Sequence, residues 1–182
     1  WVLLMSAAAT LVQNLRKRLS KPTGYQLFDI QLKQRIALSP SLMRFVFSGK
    51  DVALMRTLAP DQRVKLFFPS ASGVAPHLPK YGDWQAARRD LAPEHTPPMR
   101  TYTIRDLRPE TGELDIDFVL HGETGPASRW AVHANIGDPL QIVAPNAAYH
   151  ADPGGYEWLP PQGMRKVLLI GDETALPAIA GI

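Results

Sequence analysis

Two stretches decide the fold of this chain: Arg100-Thr-Tyr-Thr-Ile-Arg105 and His121-Gly-Glu-Thr-Gly-Pro-Ala-Ser-Arg-Trp-Ala131. The first predicts a strand that carries a cation, a phenol and a hydroxyl. The second predicts a strand end that breaks into a Gly/Pro turn and then starts a helix. A cation beside a glycine-broken helix N-terminus can hold a dianionic pyrophosphate, and an aromatic ring with a hydroxyl can hold a flat heterocycle. Together they predict a dinucleotide cofactor lying across a β-barrel, with a flavin as the most economical candidate.

Strand-like segments surround these two stretches. Apolar runs predict six strands, at residues 25–33, 42–47, 64–68, 100–105, 114–120 and 140–144. We expect the strands at 100–105 and 114–120 to pair as a hairpin, and Leu27 to face inward with Ile30 or Leu32. Many short antiparallel strands predict a mainly β protein, here a six-stranded antiparallel barrel over residues 23–150. Residues 70–98 form a long Pro- and Gly-rich loop, and such loops are usually functional or disordered.

A different pattern follows the barrel. Residues 165–170 form an apolar run without alternation, typical of a strand buried on both faces of a parallel sheet. Residues 171–179 continue as a strand-to-helix turn. The unit predicts the start of a doubly wound α/β domain over residues 151–182. The sequence stops within the helical pattern, so we expect a truncated second domain, since a whole one needs on the order of 100 residues.

The first 22 residues predict an N-terminal extension or a short amphipathic helix. The apolar run at residues 1–12 is shorter than the roughly 20 residues of a membrane span. A secretory signal carries its positive charges before the apolar run, whereas here Arg16, Lys17 and Arg18 follow it. We therefore expect no stable membrane insertion.

The composition limits the chemistry. The 182 residues include no cysteine, which excludes disulfides, thiolate iron–sulfur clusters and Cys-ligated zinc. Redox chemistry must then come from an organic cofactor or from a metal carried by the substrate. The net charge of +3 suits an anionic ligand and is too small to indicate nucleic acid. The absence of cysteine fits a cytoplasmic protein.

Four motifs in this order resemble the siderophore-interacting protein family, FAD-dependent ferric-siderophore reductases of the ferredoxin-reductase-like superfamily. The motifs are Arg100-Thr-Tyr-Thr-Ile-Arg105, Asp115-Ile-Asp-Phe-Val-Leu-His-Gly122, Gly125-Pro-Ala-Ser-Arg-Trp-Ala131 and Leu168-Leu-Ile-Gly-Asp-Glu-Thr-Ala-Leu-Pro-Ala-Ile179. The resemblance covers residues 25–182. It implies that the barrel binds FAD and that residues 151–182 begin an NAD(P)H-binding domain.

The resemblance also implies roles for single residues of the barrel. Arg100 would lie by the pyrophosphate, Tyr102 against the flavin ring system, and Thr103 near the N5 edge. Small residues allow backbone N–H groups to approach a phosphate, which fits the turn after the predicted strand at residues 114–120. The phosphate and adenosine parts would be held by His121, Gly125, Pro126, Ala127 and Ser128.

A further set of residues would line the cleft that receives the nicotinamide. The resemblance assigns this cleft to Asp172, Glu173, Thr174 and Ala175. Asp172 and Glu173 can equally cap the helix that follows them. Without the rest of the second domain, we do not expect this polypeptide alone to bind NAD(P)H in the manner of the family.

Each barrel residue also has a plain structural interpretation. Arg100 can pair across the hairpin with Asp115 or Glu113. A single histidine at a strand end, such as His121, is usually structural. Gly125 and Pro126 can form an ordinary turn, and Trp130 is expected to pack the helix on the barrel.

The function that the resemblance implies is reduction of ferric siderophores by NAD(P)H through FAD, which releases Fe(II) for iron acquisition. No Ser-His-Asp arrangement or metal-ligand spacing is found, so no catalytic side chain or protein-bound metal is predicted. The expected partner is a ferric siderophore, and the expected state is a monomer. Two alternatives stay open: another flavin reductase of the same superfamily, and a non-catalytic fragment that binds a flavin or a siderophore.

Overall fold

The computed structural model describes residues 22–182, so the predicted N-terminal extension lies outside the described residues except for Pro22. Seven strands form in this part of the chain: β1 Tyr25–Ser39, β2 Leu42–Ser48, β3 Arg63–Phe67, β4 Met99–Thr103, β5 Asp106–Arg108, β6 Glu113–Val119 and β7 Pro139–Pro145. The helices are α1 Trp84–Arg89, α2 Pro126–His133 and α3 Leu176–Ile179, with 3-10 turns at Lys50–Leu54 and Pro93–His95.

One antiparallel sheet contains all of these strands, in the order β4-β3-β7-β1-β2-β6-β5. The long strand β1 pairs with β7 through its first half and with β2 through its second half, and it has register shifts at Leu32/Gln34 and Ala37/Ser39. Such irregularities bend a strand and increase its twist. The sheet therefore curves into a half-barrel, which confirms the predicted mainly β fold.

The concave side of the sheet holds the main core. Strand β6 alternates, with Ile116 and Phe118 buried in this core while Asp117 faces the other side. Helix α2 closes the core through Trp130, whose ring lies 5.3 Å from Phe45 and 6.0 Å from Phe118. Trp130 therefore packs the helix on the barrel, as the sequence predicts.

The convex side of the sheet is also covered, and this corrects one prediction. Leu27 does not face the barrel interior; it packs with Phe67, Leu78 and Val143 in a second apolar cluster, while Ile30 and Leu32 join the main core. The cover is the long loop at residues 70–98. Its Leu78 N–H donates to Gln141 Oε1 at 2.7 Å, which ties the loop to β7.

The predicted hairpin is wrong in its pairing, and the strand count is seven rather than six. Strand β4 ends at Thr103 and pairs with β3, whereas the short β5 pairs with β6. The break comes at Ile104, whose side chain is buried and whose N–H donates to Gln62 O at 2.9 Å. The next N–H, that of Arg105, donates to Asp115 O at 2.9 Å, so the chain changes partner from β3 to β6 here and the predicted strand at residues 100–105 is divided.

The apolar run at residues 165–170 forms no strand in the described chain. Leu168 and Ile170 are 82% and 88% exposed. A parallel strand needs neighbouring strands for its N–H and C=O groups, and this segment pairs with none among residues 22–182. A second domain at residues 151–182 therefore stays a prediction. In the described chain, no helix combines the length and the apolar character that a bilayer crossing requires.

Candidate functional site

A cavity of about 320 Å3 lies between β4, the end of β6 and the start of α2; we call it the β4–α2 cavity. It gathers most of the residues that the sequence singled out, although they come from four separate parts of the chain. Those that line it are Arg100, Tyr102, Thr103, His121, Gly125, Ala127, Ser128 and Thr174, with Arg63, Thr101, Asp117, Val119 and Pro177 beside them.

Arg100 offers its charge to this cavity. Its hydrogen bond goes to the carbonyl of Met99 at 2.8 Å, and no carboxylate of the described chain pairs with it. The two carboxylates that the plain interpretation assigned to it, Asp115 and Glu113, are both bound by Arg108 instead. That interpretation is therefore wrong, and the guanidinium is available for an anionic ligand.

Helix α2 presents its N-terminus to the same cavity. Gly125 precedes the helix and has no side chain to cap it, and Pro126 has no N–H to donate. The first helical bond runs from Arg129 N–H to Gly125 O at 2.9 Å, so the N–H groups of Ala127 and Ser128 come before the hydrogen-bonded turns. Open space surrounds the position that a Cβ would take at Gly125. These features fit a phosphate group placed against the helix.

The role of this helix start can be tested with Gly125→Ser. Its φ of −140° is one that serine adopts readily, and a serine hydroxyl can cap the helix. We expect the protein to become slightly more stable, by a few tenths of a kcal/mol. We expect FAD affinity to fall by about fivefold, because the hydroxyl competes with the phosphate for the same N–H groups. Thermal unfolding measures the stability, and an FAD titration measures the affinity. If the stability and the FAD affinity both increase, the helix start does not hold the phosphate.

Tyr102 forms one wall of the cavity and is held rigidly. Its ring stacks on Phe118 with centroids 4.2 Å apart and an interplanar angle of 20°. Burial raises the pKa of the Tyr102 phenol well above its usual value, although the nearby Arg100 lowers it. The side chain is therefore a neutral, immobile ring beside the cation, which suits a flat heterocycle with a charged tail.

His121 lies at the outer rim. Its Nδ1 is 3.0 Å from Thr124 Oγ1, and its side chain is exposed. In the same turn, the Oε1 atom of Glu123 lies 3.1 Å from Nε2 of His133 at the end of α2. These contacts organise the turn before α2, and a cofactor contact for His121 stays a prediction.

The segment at residues 172–175 contributes only Thr174 to the cavity; Asp172, Glu173 and Ala175 lie outside its lining, as does Pro126. Asp172 Oδ1 accepts hydrogen bonds from the Thr174 hydroxyl at 2.6 Å and from its N–H at 2.9 Å. The bond from the hydroxyl, with that from the N–H, lowers the pKa of Asp172. Its carboxylate thus organises the turn before the helix, whereas the helix itself begins after Ala175 with no side-chain cap, so the capping interpretation is wrong. A nicotinamide role for these residues stays a prediction.

A larger cavity of about 880 Å3 lies on the convex side of the sheet; we call it the outer cavity. Its floor includes Leu27, Lys65 and Val143, and the long loop adds Tyr81 and Trp84. Arg63 and Thr101 line both cavities, so the two adjoin each other along β3 and β4. No local motif predicts this cavity, and the one signal in the sequence is the length of the loop at residues 70–98.

Comparison with known proteins agrees with this geometry. Residues 31–149 match the model of a family described as the siderophore-interacting FAD-binding domain. The chain is 34% identical to the ferric vibriobactin reductase ViuB of Vibrio cholerae over 86% of the chain and 52% of the relative. It is 45% identical to the mycobactin import ATP-binding/permease protein IrtA of Mycolicibacterium smegmatis, over 80% of the chain and 14% of the relative.

Solved structures give the same result. The siderophore-interacting protein SipS from Aeromonas hydrophila superposes with a TM-score of 0.60 at 33% identity, covering 86% of the chain and 52% of SipS. The chain spans about half the length of ViuB and SipS.

Proposed function

Because this chain belongs to the siderophore-interacting FAD-binding domain family, we propose that it is the flavin-binding part of an NAD(P)H-dependent ferric-siderophore reductase. One observation carries the proposal. An arginine with no carboxylate partner in the described chain and an uncapped helix start line one cavity, together with a fixed aromatic ring. The arginine and the helix start suit the two phosphates of FAD, and the aromatic ring suits its ring system.

The residues of the β4–α2 cavity bind and orient the cofactor. Arg100 and the N–H groups at the start of α2 would hold the pyrophosphate. Tyr102 would support the ring system, and Thr103 would lie near its N5 edge. When bound, FAD supplies the redox chemistry, accepting a hydride from NAD(P)H and delivering single electrons to Fe(III). No side chain needs to act as a nucleophile.

The outer cavity is the proposed place for the ferric chelate. It adjoins the β4–α2 cavity through Arg63 and Thr101, and it is large enough for a small-molecule ligand. One hydride carries two electrons, so it reduces two Fe(III) ions in succession and leaves one proton. Siderophores bind Fe(II) far more weakly than Fe(III), so reduction releases the metal.

Thr174 lies at the β4–α2 cavity, where a nicotinamide contact from residues 172–175 would have to be made. The activity proposed is that of the whole protein, of which this chain supplies the flavin site. A cytoplasmic location and a monomeric state stay predictions.

A visible absorption spectrum of the purified chain, before and after FAD addition and desalting, tests the flavin site. We expect retained bands near ~370 and ~450 nm from the bound cofactor. The loaded chain is then reduced with dithionite, freed of excess reductant and mixed with a ferric chelate and a chromophoric Fe(II) chelator. Chemical reduction makes the result independent of NAD(P)H binding.

Appearance of the Fe(II) complex at a rate above that of free reduced FAD supports the reductase. Retention of FAD without any such acceleration would leave a flavin-binding chain that does not present its cofactor to ferric chelates. A chain that does not retain FAD would contradict the proposal.

A further inference from the structure

We propose that the outer cavity selects uncharged ferric chelates with aromatic arms and discriminates against trianionic tris-catecholates. This inference rests on the proposed function, since it concerns the acceptor of the same reaction. It is argued from the way the cations of the cavity are paired and from the side chains that form its walls.

The cation contributed by the loop is already neutralised. Lys80 Nζ lies 2.8 Å from Asp29 Oδ2 and 2.8 Å from Asp51 Oδ2. Burial alone would lower the pKa of Lys80, but its hydrogen bonds to these two carboxylates outweigh burial and hold the pKa above its usual value. The ammonium group is therefore charged and fully engaged, and it adds no net attraction for an anion.

The cations contributed by the sheet are also largely engaged. Arg63 Nη2 bonds Glu157 Oε1 at 2.7 Å. Lys65 Nζ donates a hydrogen bond to the hydroxyl of Thr101 at 3.3 Å, and no carboxylate of the described chain pairs with it. Lys65 is thus the single lining cation of the described chain that can offer uncompensated charge.

The sum of these charges is unfavourable for a multiply charged anion. Asp83 also lines the cavity, where it accepts from the Ala86 N–H at 2.9 Å. In the described chain, the lining residues and their ion-pair partners comprise three cations and four carboxylates. A trianion entering the cavity gains one free ammonium and meets the carboxylate of Asp83, while the other carboxylates neutralise Arg63 and Lys80; this balance opposes binding of an anion.

The walls favour aromatic surface. Trp84 is fixed by an edge-on contact with Phe67, with ring centroids 5.2 Å apart. The Tyr25 hydroxyl donates to Arg63 O at 2.9 Å and accepts from Gln62 Nε2 at 2.8 Å, so its polar atom is used within the protein. Rings held in this way offer flat apolar surface to the cavity. An uncharged chelate with aryl arms can pack on these rings and is not repelled by the carboxylates.

The test uses Ga(III) chelates, because Ga(III) carries the charge of Fe(III) and is not reduced by the flavin. Three probes are titrated into the FAD-loaded chain by calorimetry. Uncharged aromatic tris[2-(2′-hydroxyphenyl)oxazoline] is compared with trianionic aromatic tris(catecholate) and with uncharged aliphatic tris(acetohydroxamate). We expect the oxazoline complex to bind at least about tenfold more tightly than either of the others.

A charge variant tests whether the pairing of the lining cations causes the preference for the uncharged chelate. Glu157→Gln frees Arg63 and should narrow the preference for the oxazoline complex over the catecholate complex by about threefold, a modest effect because the ion pair is solvent-exposed. Glu110→Gln makes the same change of charge on the β5–β6 turn, away from the lining of either cavity, and should leave the preference unchanged.

Each of the other outcomes overturns the inference. A catecholate complex that binds as tightly as the oxazoline complex removes the charge selection, and an equally tight hydroxamate complex removes the aromatic selection; both leave the proposed reductase intact. Binding of none of the three to the FAD-loaded chain would overturn the acceptor site itself, and this inference with it.

Discussion

Replacing Arg100 with alanine is expected to weaken FAD binding by about 30-fold or more, which corresponds to about 2 kcal/mol. The guanidinium lines the β4–α2 cavity and bonds only the carbonyl of Met99 within the described chain. Its removal takes the charged donor away from the phosphates. It breaks no ion pair of the described fold, so the melting temperature without FAD should change little.

The measurement is an equilibrium FAD titration followed by protein fluorescence. Arg89→Ala removes an equivalent exposed arginine at the end of α1, outside the lining of both cavities, and should leave the affinity unchanged. Arg100→Lys keeps the charge but loses the paired donors of the guanidinium, so it should give an intermediate affinity. An unchanged affinity in Arg100→Ala would show that Arg100 does not contact the pyrophosphate.

Replacing Phe118 with alanine is expected to lower the free energy of unfolding by about 3–5 kcal/mol. The side chain is 1% exposed and lies at the centre of the aromatic core. Its ring centroid is 4.7 Å from that of Phe45 and 4.2 Å from that of Tyr102. The cavity left behind would remove contacts from both rings, and the ring of Tyr102 would lose its support.

Urea unfolding followed by far-UV circular dichroism gives the stability, and an FAD titration on the folded fraction gives the affinity. Phe118→Leu retains most of the buried volume, so its loss should stay below about 1.5 kcal/mol. The alanine variant should also bind FAD more weakly, because Tyr102 is no longer held parallel to a neighbouring ring. Equal stability of the alanine and leucine variants would mean that the core closes around the vacated space.

Much of the site could be predicted from residue types and their local order. An arginine followed by Thr, Tyr and Thr on a strand predicts a face with a cation and a ring. A glycine and a proline before a helix predict an N-terminus with free N–H groups. These are properties of neighbouring residues, and the structure brings Arg100, Tyr102, Gly125 and Ser128 to one cavity.

Other features depended on contacts between residues distant in sequence. The change of hydrogen-bonding partner, from Gln62 at Ile104 to Asp115 at Arg105, ended β4 early and gave β6 a different partner from the predicted one. Leu27 faces the convex side because the loop at residues 70–98 covers it, whereas alternation alone does not say which face of a sheet meets the larger core.

The positions of most strands and the helix start after Gly125 follow from the sequence, since backbone preference and side-chain chemistry act over a few residues. The absence of cysteine likewise limits any redox chemistry to an organic cofactor or a metal carried by the substrate. The outer cavity and its charge balance follow from the folded chain alone. They depend on Lys80 meeting Asp29 and Asp51, on Arg63 meeting Glu157, and on Gln141 holding the loop. Such pairings are chosen by the curvature of the sheet and by loop closure, which no short stretch of residues encodes.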